Sequence, residues 1–351
     1  MSNRYLINRA LGEGGFGITY IGSDTNLELT VAIKEYYPGS LAERDRTISH
    51  RVIPKEGQER ETFRKGLESF MQEARILAKL VGEPGIVGVR DYFEANGTAY
   101  IVMEYLRGET LKTYLHRRGK LTFTRACRLL IPVIQSMERV HAKDLIHRDI
   151  SPDNIMLLRD GRVKLLDFGA ARQVILDGDK GLPVVLKPGY APEEQYRAGS
   201  NQGPWTDVYA LSAVIYRCVT GDEPAEAITR VYCDELKAPS TLGIPITPEQ
   251  EAVLLHGLAV QAGNRISSMT ELRQELDALG LEEQERPDLT RTAAAVVSKT
   301  RVITPQPHNS HDSGIDSLRA AGVKLTIKRK PQERETAAGG TQAWFHAPYN
   351  M

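Results

Sequence analysis

The sequence predicts an α+β chain in two halves, strand-rich first and helix-rich after, with a tail beyond them. Three observations carry that prediction. Short β-branched and aromatic runs fill the region up to Glu104, interrupted by one stretch of helical period. From about Thr122 apolar residues recur at intervals of three and four. Beyond Gly280 large apolar side chains thin out, too few to offset the entropy of ordering the chain.

In the first half, Tyr5–Leu11 and Ile18–Gly22 read as strands around a glycine cluster at 12–17, and Leu29–Lys34 as a third. Val87–Glu94 and Ala99–Glu104 read as a hairpin about Asn96-Gly97. Between these groups, Pro38 to about Gly57 is a polar connection. Phe63, Leu67, Phe70, Ala74, Leu77 and Val81 then fall on one helix face. In the second half Leu129, Leu130, Val133, Ile134, Met137 and Val140 line a helix that Pro132 is expected to kink. Ile155–Leu158 and Val163–Leu166 are short strands about Asp160-Gly161, and helices dominate from Trp205 to about Leu279. Residues 280–351 read as a flexible tail or linker, with Trp344, Phe345 and Tyr349 near its end.

Composition excludes several functions. Forty-five Lys and Arg balance forty-five Asp and Glu, so no basic field draws nucleic acid or an anionic membrane. Cys127, Cys218 and Cys233 lie far apart with no Cys-x-x-Cys pair, which argues against a zinc site or a disulfide framework. No run approaches the roughly 18–20 apolar residues of a membrane span, and the first residues lack an apolar signal core. The expectation is a cytoplasmic protein with no membrane segment in this chain.

The chemistry begins at Gly12-x-Gly14-x-x-Gly17. A dinucleotide fingerprint would open a helix, whereas here Ile18 continues a strand, and the glycines let backbone approach a polyphosphate. Lys34 ends the apolar Val31-Ala32-Ile33 run, where its ammonium must reach an anion or water. Glu73 sits mid-helix between Phe70 and Leu77. Then come His147-Arg148-Asp149-Ile150-Ser151-Pro152-Asp153-Asn154, Asp167-Phe168-Gly169, Ala191-Pro192-Glu193, and Asp207 opening an apolar helix.

In that order and spacing these motifs resemble the eukaryotic-type (Hanks-type) protein kinases, in particular their bacterial Ser/Thr branch. The resemblance covers about residues 5–278. It implies a bilobal protein kinase fold, with a β-rich N-lobe over about 1–105 and an α-rich C-lobe over about 106–279. It implies transfer of the γ-phosphate of ATP to Ser/Thr hydroxyls of proteins, autophosphorylation included, with Mg²⁺ (or Mn²⁺). Leu11, Gly12, Glu13, Gly14, Gly15, Phe16, Gly17 and Thr19 would cover the nucleotide. Ala32 and Met156 would sandwich the adenine, with Met103 behind it and Glu104 to Leu106 as the hinge. Lys34 would contact the α- and β-phosphates and pair with Glu73, Asp149 would accept the hydroxyl proton, and Asn154 and Asp167 would hold the metal. Glu193 and Arg265 would form a buried ion pair, Asp207 would cap the loop around His147 and Arg148, and Leu77, His147 and Phe168 would stack in a column between lobes. The rival readings are a nucleotide-binding signalling scaffold without transfer and a small-molecule phosphotransferase.

The chain departs from the family in two places. Ser151 stands where the family carries a lysine two residues after the catalytic aspartate, and Lys187 stands where it carries a threonine. The two changes read as compensating, with Lys187 placing its ammonium where the missing lysine would sit; the alternative is a solvated lysine. From Asp167 through Glu193 there is no Ser or Thr, so a phosphate on that segment is not expected to pair with Arg148; Asp177 or Asp179 are candidates to face it instead. Regulation is sought instead in Thr47 and Ser49, or in Thr290, Thr292, Thr300 and Thr304, as sites for a phospho-binding module. Asp153 and Glu109 are candidates to favour a basic residue before the acceptor.

Overall fold

Period-2 alternation builds the first half. In the computed structural model, which describes residues 4–15, 17–45, 51–168, 186–197 and 199–280, five antiparallel strands form one sheet in the order β1-β2-β3-β7-β6. They are β1 (Tyr5–Gly14), β2 (Gly17–Asp24), β3 (Leu29–Tyr36), β6 (Val89–Ala95) and β7 (Thr98–Glu104). On β3 and β7, Val31, Ile33, Tyr100 and Val102 pack on one face with Tyr5. Tyr36, Ala99, Ile101 and Met103 pack on the other, into the main core. Both faces of β7 are therefore buried, which is why its sequence reads as an unbroken apolar run. The same alternation sends Lys34 to the face of Ala32 and Tyr36.

Helix α1 (Gln58–Ala78) lies against β6 and β7, with Phe63, Phe70, Ala74 and Leu77 buried. It stops short of the expected end. Lys79 and Leu80 donate to carbonyls three residues back, at 2.9 Å each, so the last turn tightens and Val81 is 66% exposed. The connection after Pro38 holds a small hairpin that was not expected, β4 (Ala42–Arg44) with β5 (Val52–Pro54). Its Ala42 and Val52 are buried beside Tyr36 and Phe63. Thr47 and Ser49 fall outside the described residues.

The second half begins with β8 (Gly108–Thr110) and α2 (Leu111–Arg118), then α3 (Phe123–His141), capped by the Thr122 hydroxyl. Helix α3 continues through Pro132, which removes one intrahelical donor, and fully buried Leu130, Val133 and Ile134 hold the helix on either side. β9 (Ile155–Leu158) and β10 (Val163–Leu165) follow and join β8 in a three-stranded sheet. The remaining helices are α4 (Pro204–Thr220), almost wholly buried, α5 (Ala227–Arg230), α6 (Pro248–Gly257) and α7 (Met269–Ala278). Thus a β-rich lobe precedes a helical one. They are stitched by the segment before β6. Val87 donates to the Leu165 carbonyl at 3.0 Å, Leu165 to Gly85 at 2.8 Å, and Gly85 to the Ser136 hydroxyl of α3 at 3.0 Å.

Among the described residues no helix is long and apolar enough to cross a membrane. The expected tail lies outside the described residues from 281 onward, with its threonines.

Candidate active site

A cleft of about 500 Å³ lies between the lobes, and both contribute to it. Gly12, Gly14, Gly15, Gly17 and Thr19 come from β1, β2 and their turn, Lys34 from β3, and Phe70 and Glu73 from α1. Asp149, Asn154, Asp167, Phe168 and Lys187 come from the other side. Phe16 and Gly169 lie outside the described residues.

On the upper wall, Lys34 Nζ stands 3.0 Å from Asp167 Oδ1. Burial alone would strip its proton, but the Asp167 and Glu73 carboxylates more than offset that and raise its pKa. The same pairing holds the Asp167 carboxyl below the ordinary carboxylate range, although burial pushes it upward. Glu73 is buried at 2% exposure, so it acts on Lys34 as a low-dielectric charge.

The lower wall is a backbone loop held in place by one carboxylate. Asp207, on the first turn of α4 and fully buried, accepts from the His147 and Arg148 backbone N–H groups at 2.8 Å each. It also meets His141 Nε2 at 2.9 Å. Burial raises the Asp207 carboxyl and these donors, His141 first, bring it below its usual range. The bonds hold Arg148 at a φ of 67°, a left-handed conformation uncommon outside glycine, so the loop turns sharply just before Asp149. His141 was not singled out in the sequence; its only signal is its place at the end of α3, six residues before His147.

His147 is fully buried, its ring 4.4 Å from that of Phe168. Its Nδ1 accepts from the Asp149 N–H at 3.2 Å, so its Nε2 donates to the Leu166 carbonyl at 2.6 Å, and burial keeps the ring neutral by lowering its pKa. Asp149 Oδ2 accepts from Asn154 Nδ2 at 2.8 Å, and the same amide also reaches the Asp149 carbonyl at 2.8 Å. Both bonds use the amide nitrogen, and Asn154 and Asp167 line the same cleft. An amide oxygen and a carboxylate suit a hard divalent cation that completes its shell with water and phosphate.

Lys187 comes from the segment after 185. Its Nζ donates to Ser151 Oγ at 2.7 Å and lies 3.5 Å from Asp149 Oδ1.

The expected adenine residues Ala32, Met103 and Met156 are not among the residues that line this cleft. Ala32 and Met103 are cross-strand partners on β3 and β7, and Met156 sits on β9. Leu11 is 42% exposed on β1. Glu104 donates its N–H to the Gly88 carbonyl at 2.9 Å, and its side chain pairs with buried Lys164.

One expectation is corrected. Arg265 pairs with Glu194, not Glu193: its Nη1 and Nη2 reach the two carboxylate oxygens at 2.8 and 3.3 Å. Glu193 is half-buried and pairs instead with Arg197 at 3.1 Å. The two glutamates share one turn of 3₁₀ helix (Glu193–Tyr196), which rotates neighbours by about 120°, so they point in different directions and Glu194 is the one that reaches Arg265. The acceptor-side acids are also engaged. Asp153 pairs with Lys112 at 3.0 Å, and Glu109 with Arg117. Arg148 donates from Nε to Gln202 Oε1 at 3.1 Å, a partner the sequence did not suggest; Asp177 and Asp179 lie outside the described residues.

The family profile described as "Protein kinase domain" matches residues 5–271. A probable serine/threonine-protein kinase of Streptomyces coelicolor is 32% identical over 79% of this chain and 40% of its own length. Serine/threonine-protein kinase PknA of Nostoc is 30% identical over 92% of this chain and 60% of its own, and PknB of Mycolicibacterium smegmatis is 33% identical over 82% and 44%. The chain thus spans about half the length of these curated relatives. The solved structure titled "PpkA-294 apo form" superposes with a TM-score of 0.71 at 37% identity, covering 79% of this chain and 97% of that one.

Proposed function

Because the chain belongs to the protein kinase family, we propose that it transfers the γ-phosphate of ATP to Ser/Thr hydroxyls of proteins, with Mg²⁺ at Asn154 and Asp167 and residues 1–279 as the transferring domain. The observation that carries this reading is the position of Asp149. Its carboxylate is fixed by the Asn154 amide and lies across one cleft from the Lys34–Asp167 pair, under a glycine turn.

A divalent metal held by Asn154 and Asp167 would neutralise phosphate charge and draw electron density from the transferring group. The chain's residues supply the rest. Lys34, held charged by its acidic neighbours, anchors the α- and β-phosphates. Asp149 orients the acceptor hydroxyl and takes its proton. The Asn154 amide holds one carboxylate oxygen and so fixes the orientation of the group that takes the proton. In a loose transition state the proton leaves late, so a carboxylate needs no raised pKa for the task, and positioning supplies much of the rate. Protein substrates bearing Ser or Thr are the partners, and threonines beyond 280 are the proposed autophosphorylation sites for a phospho-binding module.

A radiolabelled-ATP assay on a mixed Ser/Thr peptide pool tests the reading. Wild type labels the pool and itself, while Lys34→Ala and Asp149→Asn lose on the order of a hundredfold or more. Wild-type protein that binds ATP yet labels nothing would favour a nucleotide-binding scaffold.

A further inference from the structure

We propose that Lys187 is the cation that attends the transferring phosphoryl group, so that the catalytic charge is carried by the segment after 185 and seated on Ser151. The proposal rests on the kinase reading above and deepens it.

Three observations converge. The Lys187 ammonium lines the same cleft as Asp149, Asn154 and Asp167, 3.5 Å from Asp149 Oδ1, with its side chain 26% exposed. It is steered there by Ser151, whose hydroxyl accepts from Nζ at 2.7 Å and which is itself fully buried. A longer side chain at 151 has room only if Lys187 leaves.

The backbone that delivers Lys187 is fixed as well. The Tyr190 and Ala191 N–H groups both donate to the Lys187 carbonyl, at 3.1 and 3.2 Å. Gly189 holds a φ of 77°, and a Cβ there would stand 2.6 Å from the Pro224 carbonyl oxygen. Lys187 is therefore placed by a turn clamped on the Pro224 loop.

The position has a chemical use. Transfer forms a bond from the acceptor oxygen to the γ-phosphorus and breaks the bond to the oxygen leaving with ADP, while the hydroxyl proton passes to Asp149. An ammonium beside Asp149 faces the group in motion and counters its charge. Lys34, at the Asp167 end, is engaged with the other phosphates. A lysine that merely neutralised Asp149 would need no such seat on Ser151.

The test uses the full chain with one Ser/Thr peptide, measuring kcat and KM together with the affinities for ADP and a non-hydrolysable ATP analogue. Lys187→Met should lower kcat about a hundredfold, within the range for loss of one electrostatic stabiliser. ADP affinity should stay unchanged and the preference for the triphosphate analogue over ADP should shrink. Moving the charge back, as Ser151→Lys with Lys187→Thr, should recover at least about tenfold over Lys187→Thr alone, a rescue that a structural role cannot produce. A Lys187→Met kcat within about threefold of wild type would overturn the proposal. So would an ADP affinity that falls with kcat, or a swap that recovers nothing. Failure of the kinase reading looks different, since wild type itself would then transfer no phosphate.

Discussion

Arg265 and Glu194 form a two-point ion pair in which the arginine side chain has no solvent exposure. The Arg265 guanidinium also donates to the carbonyls of Ala259, Val260 and Trp205, and the Thr206 hydroxyl donates to Glu194. Removing either partner strands a buried charge. Glu194→Ala should therefore cost about 3–5 kcal/mol of unfolding free energy. Glu193→Ala, which removes only a pair with 60%-exposed Arg197, should cost at most about 1 kcal/mol. Urea denaturation of the two variants checks the assignment, and equal losses would contradict it.

The Arg148 guanidinium donates to a neutral amide, Gln202, and the sequence from Asp167 to Glu193 offers no Ser or Thr. Phosphatase-treated protein should then keep its transfer rate within about twofold, since no phosphate on that segment is needed to hold the arginine. Gln202→Ala should lower the rate by about tenfold, the order of one hydrogen bond to a charged group. Peptide phosphorylation rates with mass-spectrometric site mapping provide the check. Loss of activity with loss of a phosphate on Tyr190 would count against it.

Period-2 alternation made β3 and β7 legible, and with them the face on which Lys34 stands. The helical period of Phe63 to Leu77 did the same for α1. What escaped the sequence depends on geometry that no local period records. Three-residue strands such as β4 and β5 are too short to show alternation. Choosing between Glu193 and Glu194 needs the rotation of a single turn. His141 and Gln202 reach Asp207 and Arg148 only because α3, α4 and the loop before α4 converge there.

Two glycines of the nucleotide-facing turn should separate binding from folding. A Cβ on Gly12 meets nothing within 4 Å, whereas one on Gly17 would stand 2.2 Å from the Glu35 carbonyl oxygen. Glu35 cannot move freely, since it accepts from Tyr20 at 2.8 Å, Tyr100 at 2.6 Å and Arg44 at 2.5 Å. Gly12→Ala should leave the thermal midpoint almost unchanged and weaken ATP binding. Gly17→Ala should cost about 1–3 kcal/mol of stability as β2 and β3 separate locally. Calorimetric midpoints with and without nucleotide distinguish the two.

His147 should make stability depend on pH between neutrality and mild acid. Its Nδ1 accepts the Asp149 N–H, so a proton there would set two donors against each other in the loop that carries the catalytic carboxylate. The facing acids Asp207, Asp149 and Asp167 favour that proton, but burial outweighs them and the pKa lies below its ordinary 6.5. The folded state thus binds fewer protons than the unfolded chain once pH drops below about 6.5. The stabilisation is complete above that value and is lost as pH falls through the lowered folded-state pKa, with a slope of at most about 1.4 kcal/mol per pH unit for one proton. His147→Phe keeps a flat ring against Phe168 but cannot titrate. It should be less stable than wild type at pH 7.5, yet lose less stability on going from pH 6.5 to 5. The remaining histidines are common to both proteins, so the difference between their denaturation midpoints at stepped pH isolates this ring. Parallel curves would mean that the ring binds its proton equally well in the folded and unfolded chain, so that burial does not hold it neutral in the fold.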